Sequence, residues 1–236
     1  VDFDGSVLST GRFAEGTAVG YNKQKKGARS YYPLFCTIAQ TGQVFDVHHR
    51  PGNVHDSNGA DRFIRKRIDD VRAVLPKVTL ESRFDSAFFS DKTVKLLDSQ
   101  RVSFTISVPF ERFAEVKETI QGRKRWKRID DRWSYFELDW SPGCWDKRFR
   151  MIAIRQKVNI QHKAPIQLDL FVPHEQGYQF KLIATNKKES AKAVLRFHNG
   201  RGSQENVFGE VKDQCNMDYV PVRKLAGNQM YLMASV

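Results

Sequence analysis

A carboxylate and three basic side chains follow one another at short spacing late in the chain: His198, Arg201, Glu205 and Lys212. If a helix begins near Ser203, Glu205 and Lys212 lie two turns apart on one helix face. A carboxylate beside such cations is a combination that can bind a metal ion and the phosphates of a nucleic acid. A solvated charged helix face is the alternative explanation of the same residues.

A second carboxylate lies near the start of the chain, where residues 1–8 alternate in polarity and are predicted to form a strand. Asp2 and Asp4 share one face of that strand, although aspartate is a poor strand former. Asp4 precedes Gly5-Ser6, where the strand can bend and present a carboxylate, so Asp4 is the candidate and Asp2 the fallback. The alternative is that both aspartates are solvated residues at a strand start or edge.

A third carboxylate, Asp85, follows a strand predicted over residues 77–82 and precedes a helix over 92–99 that Ser90 and Asp91 would cap. The carboxyl end of a strand is where open α/β sheets place ligand-binding groups. A turn aspartate that bonds its own backbone is the alternative.

Three carboxylates from distant segments fit a site for a hard divalent ion such as Mg²⁺ or Mn²⁺. Two such ions about 3.5–4 Å apart activate a nucleophile and stabilise the leaving oxygen in phosphodiester chemistry. We therefore expect Asp4, Asp85 and Glu205 to converge within the distance needed to share metal ions.

Three segments of the chain resemble the three catalytic blocks of DDE transposases of bacterial insertion sequences: Asp4-Gly5-Ser6, residues 83–88, and Arg201-x3-Glu205-x6-Lys212. The resembling type carries a Tyr-x2-Arg-x3-Glu-x6-Lys signature, and residues 15–34 and 50–53 resemble its insertion-sequence group 1380. His198 stands at the tyrosine position, where a histidine can still hydrogen-bond a phosphate.

The resemblance implies an α/β fold of the ribonuclease-H-like kind, a mixed sheet flanked by helices and interrupted by a β-rich insertion. It also implies that Asp4, Asp85 and Glu205 hold two Mg²⁺ ions, for which Mn²⁺ could substitute. The implied activity is phosphodiester hydrolysis and strand transfer at the ends of an insertion sequence. A ribonuclease-H-like endonuclease without strand transfer and an inactive DNA-binding relic remain alternatives.

The charge balance agrees with a polyanionic partner, because 39 Lys and Arg against 27 Asp and Glu give a formal net charge of +12. We expect double-stranded DNA, both transposon ends and target, as the partner of a homodimer. The three cysteines are widely spaced and favour a reducing compartment, the bacterial cytoplasm. Neither a signal peptide nor a membrane-spanning apolar run is present in the sequence.

The predicted organisation has three parts: residues 1–108 and 178–236 form the two halves of the core, and 109–177 form the β-rich insertion. In the first half we expect a loop over 11–29, a hairpin over 31–49, a helix over 56–74 and a strand over 102–108. Strands over 132–138, 148–155, 167–172 and 178–185 then lead to a helix over 189–198. The chain begins inside a strand and ends in a predicted helix, so we expect a fragment truncated at both ends.

All four tryptophans fall in the predicted insertion: Trp126, Trp133, Trp140 and Trp145. Trp126 follows the basic residues Arg123, Lys124 and Arg125, which we expect to contact DNA. Enzymes that extrude a base from the duplex stack it on an aromatic ring, and the resemblance implies that role for an insertion residue. Burial in the insertion's own core is the alternative, and it is the preferred one for at least three of the four.

Overall fold

The protein is described by a computed structural model over residues 1–20, 22, 25–158 and 177–236. The described residues form twelve strands and six α-helices. The strands are β1 (Asp2–Gly5), β2 (Leu8–Thr10), β3 (Ala18–Val19), β4 (Arg29–Tyr31), β5 (Leu34–Ile38), β6 (Gln43–His48), β7 (Glu81–Phe84), β8 (Ser103–Val108), β9 (Lys127–Arg128), β10 (Trp133–Leu138), β11 (Arg150–Lys157) and β12 (Tyr178–Thr185). The helices are α1 (Ala60–Val74), α2 (Asp91–Ser99), α3 (Ala114–Gln121), α4 (Ala191–Asn199), α5 (Gly202–Cys215) and α6 (Leu225–Ser235).

A nine-stranded mixed sheet in the order β6-β5-β1-β7-β8-β12-β11-β10-β9 organises the molecule. Strands β5 and β6 form the predicted hairpin, and β5 runs antiparallel to β1. Strands β1, β7 and β8 run parallel to one another, so their carboxyl ends meet at one edge of the sheet. The predicted fold class, a mixed α/β sheet flanked by helices, is confirmed.

The segment predicted as an insertion continues this sheet. Strand β12 pairs with β8, β11 pairs with β12, and β10 pairs with β11. All three pairs are antiparallel. Helix α3, which the sequence analysis did not anticipate, buries Val116 and Ile120 in a cluster with Phe136 and Leu182. The strand predicted over 167–172 lies outside the described residues.

The apolar core lies between the central strands and the helices that cover them. In α1, Phe63, Ile64 and Ile68 recur at helical spacing and are buried, as the periodicity of the sequence predicts. They belong to one cluster with Phe3 of β1 and Phe84 of β7, whose rings stack at 5.5 Å. This packing fixes the strands that carry Asp4 and Asp85.

Three local predictions differ from the structure. The strand predicted over 77–82 begins only at Glu81, because Val78 donates a backbone hydrogen bond to Leu75 O and closes a turn after α1. Helix α1 begins at Ala60 instead of residue 56, after Gly59 in a left-handed conformation with φ of 71°. The segment predicted as a loop over 11–29 contributes to a small three-stranded sheet, β2-β4-β3.

Candidate active site

Asp4 is the penultimate residue of strand β1, and its side chain contacts the backbone of Gly5, the residue that follows it. Its Oδ1 atom accepts a hydrogen bond of 2.9 Å from Gly5 N, and its side chain is only 16% exposed. The carboxylate therefore sits at the carboxyl edge of the sheet, as the sequence predicts, and it is largely removed from water.

Asp85 follows β7, the strand that runs parallel to β1. It caps a short 3-10 helix over Ser86–Phe88, and its Oδ1 atom accepts a hydrogen bond of 2.9 Å from Ala87 N. The two explanations of this aspartate are compatible, because the local turn bond fixes a carboxylate at the same sheet edge as Asp4.

Arg201 joins the first carboxylate to the last. At the start of α5, its Nη1 atom lies 2.7 Å from Asp4 Oδ2, and its Nη2 atom lies 3.6 Å from Glu205 Oε1. The side chain of Glu205 is 67% exposed. The guanidinium thus brings the helix that carries Glu205 to the carboxyl end of β1.

Burial raises the pKa of Asp4 to about 7, although the adjacent Arg201 lowers it. The negative charges of Asp85 and, more weakly, Asp56 raise the Asp4 pKa as well. Burial is the largest of these effects, and the Arg201 cation does not offset it.

The expected convergence of the triad is only partly met. Asp4 and Asp85 are neighbours, but Glu205 faces the Arg201 guanidinium. Across the described residues, no group of three or more His, Cys, Asp or Glu side chains is arranged to hold a metal ion. The Arg201 guanidinium lies between Asp4 and Glu205, and shared binding of a metal ion by the three carboxylates stays a prediction.

The donor set nevertheless fits a hard divalent cation. All three candidate ligands are carboxylates, which Mg²⁺ and Mn²⁺ prefer. Arg201 lies between Asp4 and Glu205, and burial holds the pKa of Asp4 at about 7 despite this cation. A divalent ion bound to these carboxylates would stabilise the charged form of Asp4.

Asp56 and Tyr32 belong to the same site, and the sequence analysis missed both. Tyr32 donates a hydrogen bond of 2.7 Å to Asp56 Oδ2, and Arg50 Nη2 lies 3.4 Å from Asp56 Oδ1. Burial raises the pKa of Asp56, and nearby Asp85 raises it further. A Cβ atom on Gly5 would lie 2.5 Å from Asp56 Oδ1, so position 5 must be glycine for this carboxylate to approach β1.

A sequence signal for Asp56 existed but was assigned elsewhere. Asp56 follows a predicted strand and precedes a helical pattern, as Asp85 does, but the periodicity of residues 56–74 predicts that Asp56 is the first residue of the helix. The helix begins four residues later, which leaves the Asp56 side chain free to bond Tyr32 and Arg50.

Asp2, the fallback for the first carboxylate, has a different role. It is buried, and both of its oxygens accept hydrogen bonds from Arg83 Nε at 2.9 and 3.1 Å. Arg83 also donates to Phe197 O of α4 at 3.2 Å. This ion pair joins β1, β7 and α4, so Asp2 is neither the solvated strand start that was considered nor available as a ligand.

The sequence model of the family described as transposase DDE domain group 1 matches residues 1–236, the whole chain. The chain belongs to this family. A search of curated proteins found no match. The bacterial insertion-sequence subgroup and the metal ligands stay predictions.

The DDE-domain chain is also similar in fold to a solved piggyBac transposase in a synaptic complex with hairpin DNA. The TM-score is 0.58 at 12% sequence identity, and the match covers 99% of this chain and 44% of the piggyBac chain. The chain therefore spans less than half the length of that protein. At this identity the likeness shows the fold, a large mixed sheet flanked by helices.

His198 of the DDE domain does not meet solvent, which corrects the expected phosphate contact. Its side chain lies beneath α4 and is 3% exposed, and its Nε2 and Nδ1 atoms share hydrogen bonds of 2.9 and 3.0 Å with Ser107 Oγ and Thr105 Oγ1. Both ring nitrogens are used by β8, so neither is free for a phosphate. The histidine instead fixes α4 on the sheet.

Because His198 is buried, we expect it to make the free energy of unfolding depend on pH. Burial, reinforced by nearby cations, lowers the pKa of His198 to about 3, so the unfolded imidazole binds a proton below about pH 6.5 and the folded one does not. From pH 6.5 to 4 we expect the contribution of His198 to lower the stability of the folded protein by roughly 1 kcal/mol per pH unit. Urea unfolding of His198→Gln at pH 5 and 7 should show a smaller difference than wild type; an equal difference would contradict the assignment.

The remaining predicted DNA contacts are accessible to different degrees. Lys212 is partly exposed on α5, and Arg123, Lys124 and Arg125 are exposed in the turn before β9. The Trp126 ring is half-buried, lies edge-to-face with Phe136 at 4.7 Å, and has the Arg155 guanidinium 4.7 Å from its centre. A base could stack on Trp126 only where Arg155 moved away.

No helix in the described part of the DDE domain is both long and apolar enough to cross a membrane.

Proposed function

We propose that the chain is the catalytic domain of a DNA transposase that hydrolyses phosphodiester bonds and transfers strands at insertion-sequence ends. The observation that carries the proposal is the arrangement of Asp4 and Asp85 at adjacent parallel strand ends, with Arg201 joining Asp4 to the helix of Glu205. A family known for DNA transposition and an excess of basic residues support the same activity.

Asp4, Asp85 and Glu205 would hold two divalent ions, which supply electrophilic stabilisation of the attacking and leaving oxygens when bound. The protein contributes fixed positions for these ligands. Asp4 is held by the Gly5 backbone, and Asp85 is held by the 3-10 turn that it caps. Glu205 lies on a helix, and its exposed side chain can turn toward the two aspartates.

Arg201 and Lys212 would bind phosphates of the substrate. The planar Arg201 guanidinium faces Asp4 with one nitrogen and Glu205 with the other, and the same two nitrogens can bond two oxygens of a phosphate. If Asp4 and Glu205 held a divalent ion, the Arg201 guanidinium would be free to bond a phosphate beside the reacting bond.

Double-stranded DNA is the proposed substrate and partner. The similar piggyBac structure was solved with hairpin DNA, and this chain carries a net charge of +12. We propose that Arg123, Lys124, Arg125 and Trp126 meet the DNA from the β10–β11 side, and that two copies act together. Such an enzyme works on DNA in the bacterial cytoplasm.

The test is a cleavage and joining assay on duplex oligonucleotides that carry the ends of the element encoding the chain. We expect Mg²⁺- or Mn²⁺-dependent nicking at an end, followed by covalent joining of the freed 3′ end to a second DNA. Cleavage without joined products would indicate the endonuclease. Binding without any metal-dependent cleavage would indicate the inactive relic.

A further inference from the structure

Lys181 of β12 lies at the same sheet edge as the carboxylates, and no sequence motif pointed to it. Strand β12 is antiparallel to β8, with Leu182 opposite Val108 at the end of that strand. Because β8 is parallel to β7, the amino end of β12 reaches the edge where Asp85 stands. The topology thus brings Lys181 to the site from the side opposite β1.

The contacts of Lys181 connect it to the α4–α5 junction. Its Nζ atom donates a hydrogen bond of 3.2 Å to Asn199 Oδ1, two residues before Arg201. The positive charge of Arg201 reaches Lys181, and both cations, together with Arg83, act on the buried ring of His198. Three basic side chains therefore surround one neutral histidine.

Only one of these three cations has no acidic partner. Arg83 is paired with Asp2, and Arg201 with Asp4 and Glu205. In the described part of the chain, Lys181 forms no ion pair. Its half-buried position and then the charge of Arg201 lower its pKa, which shows that the surroundings disfavour the ammonium. A half-buried ammonium without an acidic partner would be stabilised by a bound anion.

We propose that Lys181 is a phosphate-binding residue that holds the DNA backbone on the β12 side of the active site, next to Arg201. The inference rests on the proposed function, since the phosphate is that of the DNA substrate. An ammonium on a flexible stem suits this role, because it contacts a phosphate as a point charge without the fixed geometry of a guanidinium.

A purely structural role for Lys181 makes a different prediction. A cation near the last residue of α4 interacts favourably with the helix dipole, by about 0.3–1 kcal/mol. Under that explanation, removal of the ammonium lowers stability and leaves DNA binding unchanged. The free energy of unfolding and the DNA affinity therefore separate the two roles.

The experiment measures binding of the chain to a duplex oligonucleotide in EDTA over a range of salt concentrations, so that binding is tested apart from cleavage. We expect Lys181→Gln to weaken binding about tenfold, as expected for one charge-assisted contact. The slope of log K against log salt should become shallower by about 0.9. Lys181→Arg should restore most of the DNA affinity and most of the salt dependence, because arginine restores the positive charge.

Lys77→Gln is the matched control, because Lys77 is exposed in the turn before β7, at the opposite edge of the sheet. Its affinity should stay within about twofold of wild type. If Lys181→Gln does not fold, Lys181→Met, which keeps the apolar stem, replaces it.

Unchanged affinity and slope in a folded Lys181 variant, while wild type binds DNA, would overturn the inference and leave the proposed function standing. An equal loss in the Lys77 control would overturn it too, since the effect would then be one of net charge. A wild-type chain that binds DNA but never cuts it would refute the proposed function and leave the phosphate contact intact.

Discussion

Asp85→Asn and Glu205→Gln should each reduce metal-dependent DNA cleavage by about a thousandfold, while DNA binding persists. An amide preserves the shape of the side chain and removes the charge that holds a divalent ion. Several kcal/mol of transition-state stabilisation come from such an ion, and each 1.36 kcal/mol is a factor of ten in rate. The loss should appear in the rate of nicking under saturating protein.

Glu210→Gln provides a matched control, because Glu210 is exposed on the same helix as Glu205. It should nick DNA at the wild-type rate. A second measurement, the increase of the melting temperature with added Mn²⁺, should be lost in Asp85→Asn and kept in Glu210→Gln. Full cleavage by either variant of the candidate ligands would locate the metal site elsewhere.

Asp2→Ala should destabilise the protein by about 3–5 kcal/mol, the cost of leaving a buried charge unpaired. Arg83 would lose the carboxylate that accepts all three of its hydrogen bonds to β1, while its guanidinium stays buried beneath α4. Two strands that position Asp4 and Asp85 depend on this pair, so the loss of stability should be global.

The free energy of unfolding in urea measures this effect, with Asp69→Ala as the control, since Asp69 is exposed on α1. The control should change stability by no more than about 0.5 kcal/mol. The folded fraction of Asp2→Ala should still cleave DNA at the wild-type rate, because Asp2 is a structural residue. Wild-type stability combined with lost cleavage would return Asp2 to the list of candidate ligands.

The positions of Asp4 and Asp85 were predictable because each stands at or just after the end of a strand and precedes a break in the pattern. Such local signals place a residue at the end of an element, and parallel strands then bring those ends to one edge. The tertiary partners of these residues could not be predicted in the same way. That Arg201 bonds Asp4 depends on how α5 docks on β1, which no local spacing encodes.

Burial decided the residues that sequence reasoning placed wrongly. Asp2 and His198 are polar residues with polar neighbours in the sequence. This pattern predicts a ligand or a solvated residue for Asp2 and a phosphate contact for His198. Both are buried because a partner from a distant strand, Arg83 for Asp2 and Thr105 for His198, satisfies them. The pattern of polar residues in the sequence does not show whether a hydrogen-bond partner from a distant strand will allow a polar residue to be buried.

The strands after β8 show the same limit at a larger scale. Alternation in residues 132–138 and 148–155 predicted strands close to their observed bounds, β10 (Trp133–Leu138) and β11 (Arg150–Lys157). Alternation does not state which strand pairs with which. The pairing of β12 with β8, which joins this segment to the central sheet and brings Lys181 to the site, became visible only in the structure.

The ion pair between Asp4 and Arg201 joins residues 197 positions apart, and this separation has a consequence for synthesis of the protein. A ribosome adds about 5–20 residues per second, so about 10–40 s pass between the two residues. Contacts of such long range form late in folding, after the costly closure of the intervening chain. A nascent chain therefore carries Asp4 and Asp85 well before the helix of Glu205, and the proposed DNA cleavage would begin only after that helix has been made and has docked.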